Sequence, residues 1–154
     1  MISTEILRRF PFFHNLDEAQ LRALAMIADE NLTEGNHSIF EEGTAANKFY
    51  LLISGNIDLF VKSEEENDPK SRRDFAVGEV NPGEVFGISA LLEPLIYRVS
   101  ARTANECRWI EFDAVSLRAI TQSDPGLAYQ LIVQVAKALM DRLQSTRVQL
   151  AAAW

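Results

Sequence analysis

This sequence has almost no cysteine. A lone Cys107 among 154 residues excludes an internal disulfide and a thiolate metal cluster, and it points to a reducing, cytoplasmic setting. Histidine is nearly as scarce: His14 and His37 stand far apart and outside any HxH or HExxH pattern, so no metal site is expected. Basic charge is also short, with 15 Lys and Arg against 22 Asp and Glu, a formal net charge of -7. Nucleic-acid binding rests on a basic surface that neutralises phosphates, so direct binding by this chain is not expected. No apolar run reaches the roughly 18 residues of a membrane helix, and Met1 to Phe13 lacks the apolar stretch of a signal peptide. A soluble protein with no membrane contact is expected. There is no GxSxG elbow and no P-loop, and the carboxylates are too scattered to mark an acid and base pair, so the chain reads as no enzyme.

What is present suffices for one core: 47% of the residues are apolar, in a chain near the usual length of one domain. Three parts are expected in that single domain of residues 1–154: a helical segment over 1–30, a β region over 31–112, and helices over 113–154. In the first, Asp17 and Gln20 have capping-box spacing ahead of the Leu21, Leu24, Ala25 stripe, which predicts a helix over 17–30. Ile6, Leu7, Phe10, Phe12 and Phe13 surround Pro11 in a short helical turn that must pack on something.

From residue 31 the pattern becomes short apolar runs separated by Gly, Asn and Pro, as in a β sandwich or barrel. Two such runs flank Gly55-Asn56, which predicts a tight hairpin. Residues 62–73 carry mixed charge without an apolar anchor and read as a solvated loop. Asn81-Pro82-Gly83 suits a type II turn. Asp113 and Asp124 read as N-caps, the second followed by Pro125, so a short helix over 114–122 precedes a long one from 125 to about 152. On the long helix Leu131, Val135, Leu139, Leu143 and Leu150, beside Ile132, Ala136 and Met140, form a stripe wider than one packing partner requires.

Residues 83–103 read GEVFGISALLEPLIYRVSART. This resembles the phosphate-binding cassette of the cyclic-nucleotide-binding domain family, in which Phe-Gly-Glu, a small residue and Leu-Leu precede an Arg followed by small or hydroxyl residues. RRFPFFHNLDEAQLRALA, SIFEEG, FYLLISGNIDLF and DRLQSTRVQLA resemble segments of bacterial catabolite activator proteins in the same order, so the resemblance spans nearly the whole chain. It implies a mainly β fold, a jelly roll with N-terminal helices and a long C-terminal helix. Cupin enzymes share that architecture, but their clustered metal-binding His are missing here.

The resemblance implies a regulatory sensor with cyclic AMP or cyclic GMP as ligand and no other cofactor. Arg98, with Ser100 or the neighbouring backbone at Val99, would hold the cyclic phosphate. Gly87 would let the ligand approach the backbone, Ser89 and Ala90 would present amides at the start of a helical turn, and Thr146 would touch the base. Arg98 also has a plain reading, as the ion-pair partner of Glu93. Where the family has a Glu that accepts from the ribose 2′-hydroxyl, this sequence has Ile88. A buried hydroxyl left unpaired costs about 1–3 kcal/mol, a loss of about ten- to hundredfold in affinity. The alternative is therefore a domain of the same fold that binds no nucleotide and serves as a dimerisation or protein-interaction unit. The wide stripe and the resemblance together predict a homodimer through the long helix. No helix-turn-helix is read in the chain, so no DNA reader is expected in it.

Overall fold

The computed structural model describes residues 1–62 and 74–153. Apart from Lys62, the charged stretch read as a solvated loop lies outside the described residues. Helix α1 (Thr4–Arg8) is capped by Ser3, whose hydroxyl accepts from the Glu5 amide. A 3-10 turn at Pro11–Phe13 follows, then α2 (Glu18–Met26). The capping box forms as expected: the Gln20 amide donates to Asp17 Oδ1 at 2.8 Å and the Asp17 amide to Gln20 Oε1 at 2.9 Å.

Helix α2 stops at Met26, short of the expected Glu30, because residues 28–33 are already strand β1 (Ala28–Thr33). Its partner strand decides this. Ala28 lies opposite Phe112 and Thr33 opposite Cys107 on β8 (Cys107–Asp113), and that ladder outweighs the helix preference of Ala28 and Glu30.

The remaining strands are β2 (Ser38–Phe40), β3 (Lys48–Ser54), β4 (Ile57–Lys62), β5 (Asp74–Val80), β6 (Val85–Phe86) and β7 (Ser100–Thr103). They form two four-stranded antiparallel sheets, β1-β8-β3-β6 and β2-β7-β4-β5, the face-to-face pair of a jelly roll. The expected hairpin at Gly55-Asn56 does not form. Strand β3 pairs with β8 and β6, whereas β4 pairs with β7 and β5, so the turn is a corner that carries the chain from one sheet to the other. Side-chain amides hold that corner: the Asn56 amide donates to Asn105 Oδ1 at 2.8 Å, and Asn56 Nδ2 donates to Asn81 Oδ1 at 3.1 Å. A Cβ on Gly55 would lie 2.4 Å from the Glu106 carbonyl oxygen. The close approach of this corner to the start of β8 therefore requires glycine. The turn at Asn81-Pro82-Gly83 forms as expected, with the Glu84 amide donating to the Asn81 carbonyl at 3.1 Å.

The N-terminal aromatics cover the outer face of the first sheet. Phe12 meets Phe49 of β3 at 6.1 Å between ring centroids, and Phe13 meets Phe112 of β8 at 5.9 Å. After β8 come α3 (Ala114–Ser123) and α4 (Pro125–Ala152), capped by Asp113 and Asp124 as the sequence implied. The apolar stripe of α4 divides. Leu127, Leu131 and Val135 are buried against the domain, whereas Ile132, Leu139, Met140, Leu143 and Leu150 are exposed. Beyond Ala138, Arg142 is the one described residue of α4 that is half-buried rather than exposed.

Candidate functional site

Strand β6 runs into Gly87, whose φ of +70° places it in the left-handed region. A Cβ there would come within 2.7 Å of the Tyr50 ring and 3.1 Å of the Lys48 carbonyl oxygen, so only glycine lets the chain turn this close to β3. A 3-10 turn, Ile88–Leu91, follows directly. Within it the Ala90 amide donates to the Gly87 carbonyl at 3.1 Å.

The C-terminal helices grip this short segment at both ends. Arg118 Nη1 of α3 donates to the Ala90 carbonyl at 2.7 Å, and Arg142 Nη2 of α4 donates to the Val85 carbonyl. Burial pulls the Arg142 guanidinium below its usual range, and the Glu84 carboxylate acts in the opposite sense.

In front of the turn lies a cleft of about 240 Å³. Gly87, Ile88, Ser89, Arg98 and Val99 line it, and α4 adds Leu139 and Arg142. Phe40, Phe86 and Tyr97 give it an aromatic lining; Phe40 stacks on Tyr97 at 3.9 Å between centroids, and Tyr50, outside the lining, stacks on Phe86 at 4.7 Å. The Tyr97 hydroxyl donates to the Lys48 carbonyl at 2.7 Å and accepts from the Lys48 amide at 3.1 Å, and burial raises its pKa. The Tyr97 amide donates to the Thr44 carbonyl at 2.9 Å, and the Tyr97 carbonyl accepts from the Gly43 amide at 2.8 Å. Tyr97 is thus pinned through side chain and backbone, and it fixes where the next residue, Arg98, begins.

Arg98 itself is exposed at the cleft and makes no ion pair or hydrogen bond among the described residues, so the plain reading as a partner of Glu93 is not what the structure shows. Five of the eight expected site residues therefore meet around one cleft. The other three stand apart. Ala90 is fully buried with its amide bonded inside the turn. Ser100 is fully buried, its hydroxyl accepting from the Glu42 amide at 2.9 Å, which ties β7 to the segment after β2. Thr146 donates its hydroxyl to the Arg142 carbonyl at 2.9 Å and lines a second cleft, of about 260 Å³, beside the first. Leu59 and Arg142 belong to both clefts.

Sequence reasoning missed Arg142, although it lies one helical turn before Thr146, where residues four apart share a face. It also missed Phe40, Tyr97 and Leu139, which nothing in their local pattern separated from ordinary core. Among the described residues no cluster of three or more His, Cys, Asp or Glu is placed to hold a metal ion.

The family model of the cyclic nucleotide-binding domain matches residues 32–124, from β1 to the end of α3. The chain belongs to that family. This cyclic nucleotide-binding domain is 33% identical to a solved protein of Geobacter metallireducens GS-15 named for cyclic-nucleotide binding; the match covers 93% of this chain and 99% of that one, with a TM-score of 0.80. It is 25% identical over 135 residues to the CRP-like cAMP-activated global transcriptional regulator of Mycobacterium tuberculosis, covering 88% of this chain and 58% of the regulator's length. The regulatory domain of Toxoplasma gondii PKA, solved with cAMP, is 25% identical with a TM-score of 0.63, over 76% of this chain and 42% of that one. The turn after β6 and Arg98 both fall inside the matched segment.

Proposed function

We propose that this domain is a regulatory sensor that takes cyclic AMP or cyclic GMP, or a related small organic anion, into the cleft before the Gly87 turn and reports occupancy through α4. One observation carries the reading: the turn, an Arg98 with no ion pair among the described residues, and two residues of the long helix all line one cleft. Arg98 offers a planar fork of donors suited to a phosphate, the aromatic lining suits a flat base, and Leu139 and Arg142 place the helix where a ligand touches it. A ligand that favours one placement of α4 would shift its population, which is all that signalling requires. The signal would travel in the cytoplasm between two copies of the chain, since the exposed Met140, Leu143 and Leu150 offer a face that a second α4 would cover. With a net charge of -7, the chain reads nucleic acid through no surface of its own.

The test is calorimetric titration of the wild-type chain and of Arg98→Gln with cyclic AMP and cyclic GMP. Binding is expected in the micromolar range or weaker because Ile88 offers no acceptor, and Arg98→Gln is expected to lower affinity by about tenfold or more. No heat and no competition at millimolar ligand would overturn the reading. Ile88 favours a second one, an interaction unit of the same fold without a ligand, and that result would leave it standing.

A further inference from the structure

Arg142 is a half-buried cation with no carboxylate at ion-pair distance among the described residues, although the Glu84 carboxylate acts on it from farther away. A guanidinium carries five N–H donors, yet among the described residues Arg142 makes one hydrogen bond, to the Val85 carbonyl, and has no carboxylate within ion-pair distance. Arg142 lines both clefts. The two differ in charge. The second cleft is lined by Glu79, Glu84 and Asp141, which repel an anion. The cleft before the Gly87 turn is lined by both Arg98 and Arg142, by apolar side chains, and by Glu93 as its one carboxylate, exposed to solvent. Desolvating a charge is costly, and an anion entering this cleft would satisfy donors that the protein leaves without partners.

We infer that Arg142 is a second anion-recognition residue, and that the favoured ligand of this cleft carries two separated anionic groups, one for Arg98 and one for Arg142. This rests on the sensor reading above and narrows its ligand class beyond a cyclic mononucleotide, which has a single charge. It also gives the signal a route. Past Ala138, Arg142 makes the side-chain hydrogen bond from α4 to the barrel found among the described residues, so an anion bound to it ties cassette and helix together.

Three probes at fixed ionic strength separate the possibilities: cyclic AMP with one charge, AMP with its charge at one place, and adenosine 3′,5′-bisphosphate with phosphates at two. The bisphosphate is expected to bind ten- to hundredfold more tightly than either of the others. Arg142→Gln is expected to erase that preference, while Arg142→Lys keeps part of it. Hydrogen exchange at residues 139–152 is expected to slow with bisphosphate in the wild type and not in Arg142→Gln. A bisphosphate preference that survives Arg142→Gln, or an equal loss for all three probes, overturns the inference. Cyclic AMP binding with no preference for the bisphosphate sinks it too but leaves the sensor reading intact. Failure of every probe to bind overturns both.

Discussion

Replacing Gly87 by alanine tests whether the close approach of the turn to β3 builds the cleft. Two costs follow from the structure. A non-glycine residue at φ +70° carries about 1–2 kcal/mol of backbone strain. The added Cβ also lies 2.7 Å from Tyr50 Cδ2, and that ring cannot retreat freely, being 5% exposed and stacked on Phe86. Forcing a methyl into such packing costs about 1–3 kcal/mol. The expected loss is therefore about 2–5 kcal/mol, and for a domain of this size that lowers Tm by roughly 5–15 °C. Gly83→Ala supplies the control, because its φ of +88° brings the same strain while nothing lies within 4 Å of the new Cβ. Thermal unfolding followed by circular dichroism reads both variants. Gly87→Ala should fall further than Gly83→Ala, and the difference measures the contact with Tyr50. Equal losses, or a Gly87→Ala shift of less than about 2 °C, would refute the reasoning and show that the turn relaxes without cost.

Ile88→Glu should strengthen cyclic AMP binding by about ten- to hundredfold in calorimetry by supplying an acceptor for a ribose hydroxyl, and unchanged affinity would mean that the ribose sits elsewhere. Leu143→Asp or Leu150→Asp should shift the chain towards monomer in sedimentation, and a wild-type chain that is monomeric at about 100 μM would remove the dimer from the proposal. Asp113→Ala removes the cap of α3 and should cost about 1 kcal/mol at neutral pH. The backbone hydrogen bond from Ser116 holds the Asp113 carboxyl below its ordinary value of 3.8, so the cap is fully present above that pH and is lost as pH falls through the lower folded-state value. The gap between wild type and Asp113→Ala in urea unfolding should accordingly close in acid, and a gap that persists at low pH would assign the loss to packing.

Much of the local structure follows from short-range chemistry that the sequence displays openly. The Asp17 to Gln20 box, the caps at Asp113 and Asp124 and the Asn81-Pro82-Gly83 turn involve residues three or four apart, so their geometry is set by the chain's own covalent reach. The cassette could be read for the same reason, because Gly87, Ile88 and Ser89 are neighbours along the chain, and Arg98 returns to them within a short span. Where partners are remote, the local pattern misled. Ala28 to Glu30 look helical and become strand because β8, about eighty residues later, supplies the ladder. Gly55-Asn56 looks like a hairpin and becomes a sheet-to-sheet corner because β3 and β4 each find other partners. Arg142 depends on tertiary structure most of all. Its meaning comes from the Val85 carbonyl, 57 residues away in sequence, and from its place in the lining of two clefts. Helical periodicity can say that such a residue shares a face with Thr146, but only the packing of α4 on the barrel decides that the face looks into a cleft.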